Sequence, residues 1–288
     1  MLLNRSAWSP TGTGTDSSRF EKASVMPVSA VTFRERKERG EKIAVLTAYD
    51  MPTAALIDEA GVDAILVGDS LGNVVAGMEN TLGVTMDMML HHVKMVRTGV
   101  KHALLIADMP FLSYQVSVTE AVRNAGRLVS EGGAQAVKLE GPVSRFGDVI
   151  SAILRASIPV MGHLGLTPQS IHQIGGYKVQ GRDEASARRL REDALQLQEA
   201  GCFAAVLECV PAPLAAEISQ SLTIPTIGIG AGPGCDGQVL VCHDLLGWGK
   251  TRFTKTFADA RGVMRGAFET YVREVKENTF PGPEHGYE

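Results

Sequence analysis

Residues 64–70 read Ala-Ile-Leu-Val-Gly-Asp-Ser, a short apolar run that ends on an acid and a hydroxyl. Further apolar runs also end on charged or polar residues: Leu104–Ala107 before Asp108, Ala136-Val137 before Lys138-Leu139-Glu140, Pro159–Gly162 before His163, and Ala205–Leu207 before Glu208. Short apolar runs bounded by turn signals are typical of buried parallel strands. In a barrel of such strands the C-terminal ends meet at one mouth, where catalytic groups lie. We therefore predict one site that collects these polar residues.

The alternation of such strands with amphipathic segments predicts the fold class. Strands are predicted at 43–48, 64–68, 103–108, 136–140, 159–163, 205–209, 225–229 and 238–242, and helices at 51–60, 85–99, 118–132, 145–156, 184–200, 212–222 and 258–277. This alternation indicates βαβ units and a parallel sheet. Eight units favour a single (β/α)8 TIM barrel over residues 28–288, with an open doubly wound sheet as the alternative.

Composition narrows the class of protein. The chain has 288 residues and a formal net charge of −4. This balance argues against nucleic-acid and anionic-membrane partners, which usually need a basic face, and no stretch approaches the ~20 apolar residues of a membrane span. Cys202, Cys209, Cys235 and Cys242 lack paired metal spacing. We therefore expect reduced cysteines and a cytoplasmic location.

The first 27 residues differ from the remainder of the chain. Ser6–Ser18 is rich in Ser, Thr, Gly and Pro and has no apolar h-region, so it is not a secretory signal. Three basic residues suit an organelle transit peptide, but Asp16 and Glu21 count against it. We expect residues 1–27 to be a disordered extension, with Met26 as a second candidate for the start.

Acids at strand ends indicate a metal site. A carboxylate such as Asp69 or Asp108 is costly at the end of an apolar strand unless it is solvated, paired or bound to a metal. Either residue could instead cap a following helix, but Glu140 at a third strand end favours a shared site. Hard oxygen ligands without a His or Cys cluster suit Mg2+. We therefore predict a magnesium site that involves these three acids.

Three other strand-end residues suit catalysis or substrate binding. Lys138 and Glu140 are two residues apart on a strand, so both side chains face the barrel interior. A buried Lys138 suits a substrate carboxylate or an enolate, with a structural Lys138–Glu140 pair as the alternative. Glu208 lies in the apolar context Leu-Glu-Cys-Val, where desolvation suits a general base. We expect His163 to be an accessory group only.

Two long segments follow predicted strands, namely residues 71–84 and 164–183. Long loops inside a compact domain are usually functional. Both would lie over the mouth, and the second contains Gly165, Gly175, Gly176 and Gly181. We predict that residues 164–183 form a lid that closes over the site and excludes water.

Four segments resemble the ketopantoate hydroxymethyltransferases, also called 3-methyl-2-oxobutanoate hydroxymethyltransferases, a family of pantothenate biosynthesis. They are residues 66–72 (LVGDSLG), 162–169 (GHLGLTPQ), 175–182 (GGYKVQGR) and 228–232 (GIGAG). The likeness runs from about Val31 to about His285 in consistent order, and the two middle segments are highly specific. The extension before Ala30 departs from the short N-termini of the family.

The resemblance implies a barrel of the phosphoenolpyruvate/pyruvate type with Mg2+ at its mouth. The metal-binding positions of the family match Asp69 and Asp108, with Glu140 as the third acid. The positions that hold the 2-oxo acid match Asp69, Ser70, Asp108 and Lys138. Glu208 matches the catalytic base of the family.

The implied reaction moves a hydroxymethyl group from 5,10-methylenetetrahydrofolate to 3-methyl-2-oxobutanoate and gives 2-dehydropantoate through a magnesium-stabilised enolate. Glu208 would either remove the C3 proton of the oxo acid or assist the opening of the folate. The resemblance also implies a homo-oligomer, often a decamer in the family.

Two alternatives stay open from the residues. One is a magnesium-dependent C–C or P–C lyase of the phosphoenolpyruvate mutase/isocitrate lyase type, which typically needs a lid cysteine that neither long segment contains. The other is a non-catalytic barrel that only binds an oxo acid, against which the joint presence of Asp69, Asp108, Lys138 and Glu208 argues.

Overall fold

The computed structural model of the protein describes residues 27–249 and 251–287. The expectations of a disordered extension and of Met26 as a start concern residues that, apart from Pro27, lie outside this part of the chain. Within the described part, no helix combines the length and the apolar character needed to cross a membrane.

Eight parallel strands form a closed barrel in chain order, so the predicted fold class is confirmed. The strands are β1 (Ile43–Thr47), β2 (Ala64–Val67), β3 (Leu104–Asp108), β4 (Ala136–Glu140), β5 (Val160–Gly165), β6 (Ala204–Glu208), β7 (Thr226–Ile229) and β8 (Gly237–Leu240). Closure is direct because β1 pairs with β8, with Ile43 opposite Gly237 and Leu46 opposite Leu240. The open doubly wound sheet is thereby excluded.

The helices follow the strands as the sequence pattern predicts. They are α1 (Ala30–Glu38), α2 (Met51–Glu59), α3 (Leu71–Val74), α4 (Met86–Arg97), α5 (Val118–Ser130), α6 (Val143–Arg155), α7 (Ile171–Ile174), α8 (Glu184–Ala200), α9 (Ala212–Ser221), α10 (Cys242–Leu245) and α11 (Ala260–Lys276). Each predicted helix is present. The sequence pattern missed α1, which has Phe33 as its one buried residue and therefore lacks an apolar stripe.

Along each strand, side chains point in turn into the barrel and outward against the helices. This alternation decides which way the side chains of the site residues point. In β3, Leu104 and Ile106 pack inside the barrel, whereas Leu105 and Ala107 pack outward against the helices. The same period of two carries the inward register on to Asp108 at the end of the strand. The polar strand ends therefore extend the interior stack of side chains toward the mouth.

The two long segments contain more secondary structure than the sequence indicates. Residues 71–84 contain α3 and a 3-10 turn at Thr81–Gly83, and residues 164–183 contain the end of β5, a 3-10 turn at Pro168–Ser170 and α7. These short helices bring side chains of both segments down onto the strand ends. Closure of residues 164–183 as a lid stays a prediction.

One face of the barrel and one helix expose apolar surface. The groove between β8 and β1 has a volume of about 710 Å3 and is lined by side chains that include Val45, Leu240 and Phe257. Helix α11 has no buried residue. It exposes Val263 and Phe268, at 75% and 62% of their full surface.

Barrel closure depends on the absence of a side chain at Gly237, which gives a first prediction. A Cβ built at this position would lie 2.4 Å from the backbone oxygen of Ile43 on β1. We expect Gly237→Ala to lower the free energy of unfolding by about 1–3 kcal/mol, the usual cost of overpacking. Urea unfolding followed by circular dichroism measures this change.

Gly126→Ala is the matched control. Gly126 lies in α5, and no atom lies within 4 Å of a Cβ built there. Alanine in place of a helical glycine should raise stability by roughly 0.5–1 kcal/mol. Equal effects of both substitutions would contradict the proposed role of the β1–β8 contact.

Candidate active site

The C-terminal ends of the strands surround a cavity of about 310 Å3. The residues predicted to form a site all line it: Asp69, Ser70, Asp108, Lys138, Glu140, His163 and Glu208. They come from the ends of β2 to β6 or directly follow them. The barrel thus brings together residues that are up to 139 positions apart in the chain, from Asp69 to Glu208.

Lys138 is paired with Asp108 at the bottom of the cavity. Lys138 Nζ lies 2.8 Å from Asp108 Oδ1, and both side chains are almost fully buried. Burial lowers the pKa of Lys138, but the charges of Asp108, Glu140 and Asp69 outweigh it, so the net shift is upward. Lys138 is therefore a fixed ammonium group, able to hold a substrate anion.

Asp69 lies in a crowded acidic environment. Burial, then the negative charges of Asp108 and Glu140, raise the pKa of Asp69 well above its usual range. Burial also raises the pKa of Asp108, against the opposing effect of Lys138. Both shifts disfavour the ionised carboxylates, which a positive charge placed beside them would stabilise.

His163 has a more central position than an accessory group. Its Nδ1 lies 3.5 Å from Glu140 Oε1 and its Nε2 lies 3.2 Å from Glu208 Oε2. Burial and the Lys138 charge lower the pKa of His163, but the two carboxylates outweigh them and raise it to about 9. The two carboxylates thus favour the protonated form of His163, which lies between two acids of the site although its Nδ1 is also 3.4 Å from Lys138 Nζ.

The expectation that Glu208 stands alone in an apolar environment is wrong. The sequence neighbours of Glu208 point away from it, because adjacent strand residues alternate in direction, and the carboxylate meets His163 from the neighbouring strand β5. Glu208 keeps 16% of its side-chain surface exposed to the cavity. Glu208 therefore lies beside His163 and remains accessible from the cavity.

Glu140 is held by neighbours rather than by solvent. Its Oε2 accepts a hydrogen bond from the backbone N–H of Gln169 at 2.9 Å. Burial raises the pKa of Glu140, but His163 and then Lys138 act against it, and the net shift is downward. Glu140 therefore stays ionised at the back of the cavity.

Two hydroxyl groups complete the wall near Asp69. Ser70 lies after β2, and its Oγ is 2.8 Å from the hydroxyl of Tyr49, which follows β1. Thr81 Oγ1 is buried, lines the cavity and has no hydrogen-bond partner in the part of the chain that the structure describes. The sequence pattern missed Thr81, and its unused hydroxyl is available to a ligand.

Gln169 is the residue that sequence reasoning missed most clearly. Its Nε2 donates hydrogen bonds to Asp69 Oδ2 and to the Met109 carbonyl, both at 2.9 Å. Its Oε1 accepts one from the Tyr114 hydroxyl at 2.9 Å, which fixes the orientation of the amide. Together with its backbone bond to Glu140, Gln169 holds two acids in place. Only its place in a quoted motif, GHLGLTPQ, could have indicated it.

The donor set suits a divalent cation held by two acids. Asp108 Oδ1 is buried and accepts no well-directed hydrogen bond, although Lys138 is close. Four carboxyl groups, Asp69, Asp108, Glu140 and Glu208, surround Lys138 and His163, so acidic groups outnumber basic ones in the site. Mg2+ takes one or two protein carboxylates and keeps waters. Asp69 and Asp108 fit that role.

Direct coordination by all three predicted acids is less well supported. Within the described residues, no group of three His, Cys, Asp or Glu side chains converges on one metal position. Glu140 is already bonded to Gln169 and close to His163. Glu140 fits an outer position, where it would contact a bound water rather than the metal.

A closed parallel barrel with acids, a buried lysine and a histidine at its C-terminal mouth defines a (β/α)8-barrel enzyme. A sequence model described as ketopantoate hydroxymethyltransferase matches residues 27–283. The chain belongs to the ketopantoate hydroxymethyltransferase family, as the sequence resemblance predicted.

Relatives of known name agree with this assignment. A 3-methyl-2-oxobutanoate hydroxymethyltransferase of Clostridium novyi (strain NT) is 56% identical over 263 residues, covering 90% of this chain and 95% of the relative. A protein of the same name from Enterococcus faecalis (strain ATCC 700802 / V583) is 56% identical over 265 residues, covering 91% and 96%.

Solved structures show the same fold at low identity. A phosphonopyruvate hydrolase in complex with oxalate and Mg++ matches with a TM-score of 0.60 and 13% identity, over 89% of this chain and 93% of the other. A 2,3-dimethylmalate lyase of the PEP mutase/isocitrate lyase superfamily matches with a TM-score of 0.57 and 21% identity, over 89% and 90%. These likenesses concern the barrel alone.

The contacts of Gln169 give a second prediction. Gln169→Leu removes the amide that bonds Asp69 and Tyr114, so buried polar groups lose their partners. We expect a loss of about 1–3 kcal/mol in the free energy of unfolding, the usual cost of such groups. Chemical denaturation measures it.

Gln173→Leu is the control, because Gln173 is exposed and its side chain accepts a hydrogen bond from Arg145. Its effect should stay within about 0.5 kcal/mol, as for other surface positions. A Gln169→Leu protein as stable as the control would show that the network contributes nothing to the folded state.

Proposed function

We propose that this enzyme transfers a hydroxymethyl group from 5,10-methylenetetrahydrofolate to 3-methyl-2-oxobutanoate and so forms 2-dehydropantoate, a step of pantothenate biosynthesis. The observation that carries the proposal is the single cavity in which Asp69, Asp108, Lys138 and Glu208 meet, in a chain of the hydroxymethyltransferase family. A 2-oxo acid needs groups that hold two oxygens and a group that removes a proton, and this cavity contains both kinds.

The deep part of the cavity suits the 2-oxo acid. Lys138 supplies a fixed positive charge for its carboxylate or for the negative charge that develops on its carbonyl oxygen. Ser70 adds a hydroxyl that can turn toward the same oxygens. In our proposal Asp69, Ser70, Asp108 and Lys138 form the binding site of the oxo acid.

Asp69 and Asp108 would hold Mg2+, with Glu140 in an outer position. When bound, the metal supplies Lewis acidity to the oxygens of the oxo acid and so makes the neighbouring C–H bond more acidic. The excess of carboxyl groups over cations in the cavity favours such an ion.

Glu208 is the proposed base. It takes the C3 proton of the oxo acid, and the electron pair of that C–H bond forms the enolate. The enolate carbon then bonds to the one-carbon unit, both C–N bonds between that unit and the folate break, and a water molecule supplies the hydroxyl oxygen. The two folate nitrogens take up the C3 proton and one proton of that water. His163 holds the Glu208 carboxylate from the side at 3.2 Å, which leaves the rest of the group directed into the cavity. The resemblance also allows Glu208 to assist folate opening, and proton exchange separates the two roles.

The balance of atoms limits what a lid can do. The methylene group of the folate carries no oxygen, whereas the product carries a hydroxymethyl group, so each turnover consumes one water molecule. Residues 164–183 can therefore restrict water in the cavity but cannot exclude it throughout the cycle.

The lyase alternative has little support in the site. Segments 71–84 and 164–183 contain no cysteine, and all four cysteines of the chain are buried and free. The non-catalytic alternative does not explain why Glu208 stays partly exposed when the other acids at the strand ends, Asp69, Asp108 and Glu140, are buried.

We also propose that the chain forms a homo-oligomer, with small molecules as its other partners. Helix α11 exposes Val263, Phe268 and Val275 along its length, and the groove between β8 and β1 is apolar. Apolar surfaces of this kind mark contacts between proteins. The decamer that the resemblance implies stays a prediction, as does the cytoplasmic location, which the free cysteines favour.

The role of Glu208 gives a third prediction. Glu208→Gln keeps the size of the side chain but removes the base, so exchange of the C3 proton of 3-methyl-2-oxobutanoate with D2O should slow by about 100-fold or more. Nuclear magnetic resonance follows the exchange without folate. Glu192→Gln, an exposed glutamate on α8, is the control. Undiminished exchange with impaired turnover would move the role of Glu208 to the folate.

The acidic cluster gives a fourth prediction. Exhaustive treatment with EDTA should abolish turnover, and added Mg2+ should restore it. Asp108→Asn removes one proposed ligand and should raise the Mn2+ concentration needed for half-saturation, measured by electron paramagnetic resonance, by about tenfold. Full turnover by the chelated enzyme would disprove the metal requirement.

A further inference from the structure

The cavity is larger than the 2-oxo acid requires. Its volume of about 310 Å3 lies at the lower end of the range of roughly 300–1,000 Å3 for pockets that hold drug-sized ligands. The groups assigned to the small oxo acid all lie at the strand ends. The rest of the lining includes a group of loop and helix residues that we call the outer wall: Asn73, Val74, Tyr177, Val241, Asp244, Thr251 and Phe253.

The outer wall is mostly aromatic and apolar, and its polar members are two neutral side chains, Asn73 and Thr251, and the carboxylate of Asp244. Tyr177 and Phe253 expose 64% and 40% of their surfaces, which is unusual for aromatic side chains without a partner. No Lys or Arg contributes to this wall among the lining residues that the structure describes. Such a surface suits a flat, neutral, hydrogen-bonding ring rather than an anion.

A glycine after β7, the strand next to that of the proposed base, leaves room for the ring of Phe253. Gly230 follows β7 with a φ of +62°, and a Cβ built there would lie 3.0 Å from Phe253 Cγ. The ring of Phe253 thus rests on the backbone of Gly230. The preceding residue, Ile229, pairs with Glu208 across β6 and β7. A ring stacked on Phe253 would lie close to Glu208.

Tyr177 approaches the same region from the opposite segment, residues 164–183. Burial, then the charges of Glu208 and Asp69, raise the pKa of Tyr177. Its hydroxyl therefore lies within electrostatic reach of the deep acids although the ring is mostly exposed. The two aromatic rings border one cavity from two different loops.

Asp244 lies in α10, half-buried at the edge of the cavity. A carboxylate there can accept two parallel hydrogen bonds from adjacent N–H groups. The pyrimidinone half of a reduced pterin presents such a pair, a ring N–H beside an amino group. Burial also raises the pKa of Asp244, which shows that water solvates this carboxyl group incompletely.

We propose that Tyr177, Phe253 and Asp244 form the subsite for the reduced pterin ring of the one-carbon donor. Tyr177 and Phe253 contact the faces of the ring, and Asp244 accepts hydrogen bonds from its N–H edge. The ring then presents its one-carbon unit toward the oxo acid below, and the charged tail of the donor extends to solvent. This inference rests on the proposed function, because it assigns residues to the second substrate of that reaction.

The test measures the KM for each of the two substrates in the same variants. Phe253→Ala should raise the KM for 5,10-methylenetetrahydrofolate by about tenfold, the factor expected for one lost stacking contact. The KM for 3-methyl-2-oxobutanoate and the folate-independent exchange of its C3 proton should stay within about twofold. Tyr177→Ala and Asp244→Asn should likewise raise the KM for the folate without changing the KM for the oxo acid. Phe253→Trp keeps an aromatic ring, so its KM for the folate should stay close to that of the wild-type enzyme.

Tyr287→Ala is the matched control, because Tyr287 is an aromatic residue outside the cavity with 94% of its surface exposed. A donor KM that is unchanged in Phe253→Ala, Tyr177→Ala and Asp244→Asn would overturn the subsite. So would an equal rise in both KM values together with a loss of exchange. If the wild-type enzyme exchanges the proton but forms no product with the folate, the proposed function fails instead.

Discussion

The rest of the site depends on one electrostatic constraint, the burial of Asp69, Asp108 and Glu140 beside one another. Ionised carboxylates in a low-dielectric environment are costly unless they are paired or hydrogen-bonded. The barrel meets this cost with Lys138 from β4, His163 from β5 and the amide of Gln169. These groups leave some negative charge uncompensated, which is the condition that a divalent cation would satisfy.

The same electrostatic constraint explains why the two basic residues of the site have different acidic partners. Lys138 and His163 are both basic, but Lys138 faces Asp108 whereas His163 lies between Glu140 and Glu208. Lys138 therefore lies among the groups proposed to bind the oxo acid, and His163 lies beside the proposed base. Gln169 joins the two halves, since it bonds Asp69 through its side chain and Glu140 through its backbone.

Beyond these strand ends the cavity changes its character. Aromatic and apolar side chains replace charged ones, and they come from loops, namely Tyr177 after β5 and Phe253 after β8. A division between a polar floor and an aromatic rim suits a reaction that joins a small acid to a unit carried by a large ring. The barrel holds the reacting groups rigidly, and the loops supply the surface for the carrier.

The fold and much of the site could be predicted from the sequence because both depend on local patterns. Apolar runs of four or five residues indicated the strands, and the period of two along β4 placed Lys138 and Glu140 on one face. The pattern could not indicate Gln169 or Thr81, since polar residues in loops have no periodicity to mark them. It also misplaced the surroundings of Glu208, because the neighbours of a strand residue in the chain point the other way.

The sequence by itself determined the eight-stranded barrel, the family and the identity of the polar residues at its mouth. The tertiary structure decided which residues meet at the mouth: His163 lies between Glu140 and Glu208, Gln169 donates a hydrogen bond to Asp69, and Phe253 lies beside Gly230 after β7. The physical reason is distance along the chain. Periodicity reports the direction of a side chain within its own strand, whereas charge pairing and hydrogen bonding join residues that only closure of the barrel brings together.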